Sequence, residues 1–158
     1  MEKWARVDIL KSYQDCHRNL IMSQSAQIIN LSSGGPTGES HENPEQSVIS
    51  KFVIFSFDDR LIFVYGSVKE FSYHAGLVKR FCDISGIPSG WIRKPDLYGI
   101  YADSYRLRGG GWMEEKPGQK HLRFYGYSTA YGPFDPEDIV YLFENHENVS
   151  GYQITIDE

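Results

Sequence analysis

The chain has no apolar run near the ~18–20 residues that a membrane-spanning helix requires, and no basic patch followed by an apolar segment at its start, so neither a bilayer span nor a secretory leader is expected. Cysteine is scarce: Cys16 and Cys82 are the only two, and they form no Cys-x-x-Cys pair. Neither a disulfide framework nor a structural zinc site is therefore suggested, and a reducing, cytoplasmic setting is expected. Basic charge is also in deficit, with Lys+Arg 16 against Asp+Glu 21 and a net charge of −5. Nucleic-acid binding relies on a basic footprint, so it is not expected. The triplets Asn30-Leu31-Ser32 and Asn148-Val149-Ser150 match the glycosylation pattern, which is common by chance and carries no meaning without secretion.

What remains is globular material. At 158 residues, 41% hydrophobic and 15% aromatic, the chain can bury one core without covalent or metal staples. Residues 1–47 differ from the rest, because Ser32–Ser47 holds no large apolar residue. We read 1–47 as a partly disordered N-terminal extension and 48–158 as the domain. Within the extension Trp4, Val7, Leu10 and Tyr13 recur every three residues. That weak helical stripe is either frayed or the contact surface for a protein partner.

In the domain, Lys51–Phe57 and Arg60–Tyr65 are β-branched and aromatic runs separated by Asp58-Asp59, the pattern of a hairpin. Ser67 and Glu70 have capping-box spacing, and Val68, Phe71, Ala75, Val78 and Cys82 follow helical periodicity up to Gly86. This predicts a helix over 68–84. Further strands are expected at Leu97–Tyr105, Lys120–Tyr127 and Tyr152–Ile156. A second helix begins with Asp135 as N-cap and Pro136 at its first position, burying Ile139, Leu142 and Phe143. The sum is an α+β domain with a mixed β-sheet of about five or six strands packed with two main helices.

Three features bear on chemistry. His74 falls at the border of the apolar helical stripe, where an imidazole is partly desolvated yet within reach of a cleft. Gly109-Gly110-Gly111 permits close backbone approach and reads as a loop shaping an anion pocket, although no Gly-Lys-Ser/Thr follows as in a Walker loop. Gly126-Tyr-Ser128-Thr-Ala130 is close to a hydrolase nucleophile elbow, with Asp138 and His146 following in the right order. Both partners fall within one short helix, however, and the repeated βαβ units of that fold are missing. Strand-end amides and hydroxyls that hold phosphate oxygens are the better use of this segment.

Together, Lys120–Pro133 (KHLRFYGYSTAYGP), Tyr73-His74-Ala75 and the glycine triplet resemble, in order and content, the Janus family, best known for phosphohistidine phosphatases; the likeness spans residues 51–158. The resemblance implies His74 as the essential catalytic residue, a general base or a nucleophile. It implies Lys51, Tyr127, Ser128, Thr129, Ala130, Gly110 and Gly111 at the phosphate, a phosphohistidine-containing protein as substrate, and neither metal nor other cofactor. Where the family carries arginines, before the catalytic helix and after the glycines, this chain has Tyr65 and Trp112. Arg106, Arg108 and Arg123 are the candidates to compensate. The alternative function is a Janus-fold module that binds phosphate or protein with little or no turnover.

Overall fold

A computed structural model describes residues 26–33, 46–144, 146 and 149–157. The stripe at Trp4–Tyr13 and most of the Ser32–Ser47 linker lie outside the described residues. Eight strands are described: β1 (Ala26–Asn30), β2 (Val48–Phe57), β3 (Arg60–Ser67), β4 (Ser89–Arg93), β5 (Leu97–Ile100), β6 (Tyr105–Lys116), β7 (His121–Tyr125) and β8 (Gln153–Ile156). Two helices accompany them, α1 (His74–Ser85) and α2 (Pro136–Phe143). Six strands form one mixed sheet in the order β1-β3-β2-β6-β7-β8, and β4-β5 form a separate hairpin. The α+β expectation therefore holds.

Period-two alternation sets the two faces of this sheet. Along β2 and β3, Val53, Phe55, Ile62 and Val64 point to the face covered by α1, where they meet Ala75, Leu77, Val78, Phe81 and Cys82. Phe52, Ile54, Leu61 and Phe63 point to the other face, against Phe124 and the α2 residues Ile139, Leu142 and Phe143. The same alternation sends Lys51 to the α1 face, directly opposite Trp112 in the β2–β6 register. Tyr65 goes to the α2 face.

Several boundaries differ from expectation. Ala26–Asn30, assigned by sequence to the extension, pairs in parallel with β3 and forms an edge of the sheet. The 68–84 helix starts six residues late, at His74, with Tyr73 as an extended N-cap. The capping box fails because Glu70 has a distant partner: its carboxylate accepts from the Ser33 amide at 2.9 Å and pairs with Arg80. Ser67 instead closes a turn, its carbonyl accepting from Glu70 and Phe71. The expected strand 97–105 is two strands, β5 and β6, with Tyr101–Ser104 between them. For α2, Asp135 caps as expected, its side chain accepting from the Glu137 amide at 2.9 Å.

The glycine triplet is not a loop but the middle of β6. Backbones crowd it there: a Cβ on Gly109 would lie 2.0 Å from the Pro133 carbonyl oxygen, and one on Gly110 2.5 Å from that of Phe52. Glycine inside a strand marks such close approach. Gly109 also has φ 108°, beside an irregularity of register between Val53 and Phe55, consistent with a bulge that re-aims the strand toward the site.

Candidate active site

The first turn of α1, the Lys51 end of β2, Trp112 of β6, the β4–β5 turn and the segment after β7 converge on a cleft of about 220 Å³. Lys51, His74, Tyr127, Ser128, Thr129 and Ala130 all line it, so six of the eight residues singled out by sequence share one cavity. Ser72, Tyr73, Arg93, Asp96 and Trp112 complete the lining.

His74 is buried, with its ring fixed from behind. Its Nε2 lies 2.9 Å from the Gly111 carbonyl oxygen, which can only accept, so Nε2 carries the proton and donates. In the neutral ring Nδ1 therefore holds the lone pair. Burial is the main force lowering the imidazole pKa below its ordinary value; the Gly111 hydrogen bond opposes it, and the charge of Lys51 adds to it. His74 is thus poised neutral near pH 7. The Trp112 ring meets His74 edge-on, with centroids 6.1 Å apart.

Lys51 is buried too, which lowers its pKa. Its ammonium donates to the Ser72 carbonyl and sits 4.8 Å over the Trp112 ring. Two partners on one side hold the long side chain still while its terminus reaches the cleft.

The loop after β7 divides its labour. Ser128 is buried, its amide goes to the Gly110 and Gly132 carbonyls at 3.1 and 3.2 Å, and its Oγ accepts from the Tyr131 amide at 3.1 Å. Ser128 therefore locks the loop to β6, and its amide is not available to an anion. The amides of Tyr127, Thr129 and Ala130 are given to no described residue. Three unspent donors on one short segment, beside an ammonium and the first turn of α1, are the donor set that a cradle for a tetrahedral oxyanion requires. Tyr131 ties this cradle to the hairpin, its hydroxyl donating to the Tyr98 carbonyl at 2.8 Å and accepting from the Tyr98 amide at 3.1 Å.

With this geometry in place, comparison with protein families shows that the Janus/Ocnus family model matches residues 56–147, more than half of the chain. The chain belongs to the Janus/Ocnus family. No curated protein matches it. The family match includes His74, the glycines and the Tyr127–Ala130 segment, while Lys51 lies just before it.

For this Janus/Ocnus member the two remaining sequence candidates take indirect positions. Gly110 and Gly111 do not line the cleft: Gly110 presents its carbonyl to the Ser128 amide, and Gly111 presents its own to His74. Their role is to bring two site elements against the strand. Tyr65 packs on the α2 face, so it does not stand where a cleft arginine would. Trp112 does line the cleft. None of the three compensating arginines does: Arg108 grips Asp138 through two hydrogen bonds of 2.7 and 2.9 Å, and Arg123 is bound to Asp157 at 2.7 Å. The Asp138 carboxylate that the elbow pattern would need is occupied by this pairing. Arg93 and Asp96 were missed by sequence, although the Arg-Lys-Pro-Asp run between two short apolar segments carried a turn signal.

Proposed function

We propose that this protein is a metal-independent protein phosphohistidine phosphatase in which His74 is the general base. The observation that carries the reading is the pinned imidazole: Nε2–H is spent on Gly111, leaving the Nδ1 lone pair for a cleft that also offers the Tyr127, Thr129 and Ala130 amides and the Lys51 ammonium. A phosphoryl group on imidazole has a labile P–N bond, so its hydrolysis asks mainly for positioning and for stabilisation of the equatorial oxygens. The amides and Lys51 supply that stabilisation. His74 takes a proton from water as the new P–O bond forms, the P–N bond breaks with its electron pair leaving on the substrate imidazole, and the proton is returned to the products.

A second reading, phosphate binding without turnover, is favoured by one observation: the aromatic ring of Trp112, not a guanidinium, lies opposite Lys51. The two readings separate on one experiment. Phosphate release from a phosphohistidine-bearing protein is measured with chelator present, for the natural chain and for His74→Ala. The phosphatase reading expects release by the former and loss of at least two orders of magnitude in the latter, with unchanged circular dichroism. Phosphate binding without release supports the second reading, and unchanged release in His74→Ala removes the histidine from the mechanism.

A further inference from the structure

The hairpin β4–β5 stands apart from the main sheet yet contributes two charged residues to the cleft. At its turn, Arg93 Nε and Nη2 donate to the two carboxylate oxygens of Asp96 at 2.9 and 2.8 Å. This fork occupies one edge of the guanidinium and fixes its plane. Nη1 makes no hydrogen bond to a described residue. Well-exposed ion pairs contribute little to stability, and here Arg93 is 68% exposed, so the pair is poorly explained as a structural support.

The hairpin is also not a loose flap. Trp91, Tyr98 and Ile100 pack into the α1-side core, and Tyr98 opposes Trp91 across the hairpin. The two hydrogen bonds between Tyr131 and Tyr98 fasten the hairpin backbone to the segment bearing the Thr129 and Ala130 amides. Arg93 is therefore carried on a support that is registered to the anion cradle itself. Among the described arginines it is the one that lines the cleft.

We propose that Arg93 is a phosphoryl-binding residue of this site, supplied by the hairpin and oriented by Asp96, which serves as its positioning residue. The outward edge of the guanidinium donates to an equatorial phosphoryl oxygen while the amides after β7 and Lys51 hold the others. This assignment rests on the reading of the cleft as a phosphoryl site. It also answers the substitution at Trp112, since the guanidinium reaches the cleft from another element.

The test is titration with inorganic phosphate, followed by amide chemical shifts of Thr129 and Ala130, for the natural chain, Arg93→Gln and the control Arg106→Gln. Arg93→Gln is expected to weaken binding about tenfold, as for loss of one charge-assisted hydrogen bond, and Arg106→Gln to leave it within twofold. Asp96→Asn should leave Arg93 charged but less well held, shifting the Arg93 side-chain resonance and raising KM more than it lowers kcat in any phosphoamidate assay. Binding within twofold in Arg93→Gln overturns the proposal, as does an equal loss in Arg106→Gln, which would mean a general field. If phosphate affinity is unchanged but KM for a phosphopeptide rises, Arg93 contacts the peptide and the phosphoryl assignment fails. Phosphate binding that depends on Arg93 without any turnover sustains the assignment and removes the phosphatase reading alone.

Discussion

Tyr131→Phe removes a single oxygen that joins the proposed anion cradle to the hairpin. That oxygen both donates to the Tyr98 carbonyl and accepts from the Tyr98 amide, and burial pushes its pKa up to about 12, so it stays protonated at any working pH. Each bond is worth about 0.5–1.5 kcal/mol net, and leaving the amide and carbonyl of buried Tyr98 without a partner moves the cost toward the upper end. A loss of about 2 kcal/mol follows. For a chain of this size that corresponds to a fall in Tm of roughly 4–8 °C. The phenyl ring still fills its place, so packing is not the cause. Thermal unfolding of Tyr131→Phe would be compared with Tyr101→Phe, whose parent residue is 63% exposed and should not move Tm by more than about 1 °C. Phosphate affinity of Tyr131→Phe should fall as well, because the cradle is no longer registered to its support. A Tm within about 1 °C of the natural chain would refute the claim that this hydroxyl couples the two elements.

Three further outcomes follow from the same geometry. Gly110→Ala places a Cβ 2.5 Å from the Phe52 carbonyl oxygen, a backbone atom that cannot rotate away, so the denaturant midpoint should report a loss of about 1–3 kcal/mol, with slower turnover. Lys51→Met keeps the length of the side chain and removes its charge; isothermal titration should show phosphate binding weakened by about tenfold or more, with the fold retained. Glu70→Gln loosens the clamp on Ser33 and Arg80, and hydrogen exchange should speed up selectively in β1, at Ile28 and Ile29, rather than in β2.

The helical stripe of Ala75, Val78 and Cys82 and the alternating runs of β2 and β3 were legible because their periodicity reflects burial on one face or on two. His74 and the segment Tyr127–Ala130 were legible through family resemblance, and the fold brings them to one cleft with Lys51. What escaped depends on distant partners. The short strand Ala26–Asn30 has a register fixed only by β3, more than thirty residues later. Glu70 has the local signature of a cap, but Ser33 and Arg80 outcompete the helix end for its carboxylate. The glycine triplet reads as a flexible loop until Phe52, Pro133 and Tyr125 are seen to press on it from neighbouring segments. Arg93 and Asp96 have no motif, and only the docking of the hairpin through Tyr131 brings them to the site.

The central claim is that a neutral His74, with Nε2–H held by Gly111, offers its Nδ1 as the base. The most direct measurement pairs the NMR titration of the His74 ring with the pH dependence of kcat/KM on a phosphohistidine peptide, corrected for uncatalysed hydrolysis. Because burial lowers the pKa of His74, the ring stays neutral to below the ordinary value of about 6.5. The rate should be flat above that value and fall as pH drops through the His74 pKa, with the acid limb of kcat/KM and the NMR titration sharing one midpoint below 6.5. A ring with Nδ1 rather than Nε2 protonated, or a His74 titration that leaves the rate unchanged, would contradict the account.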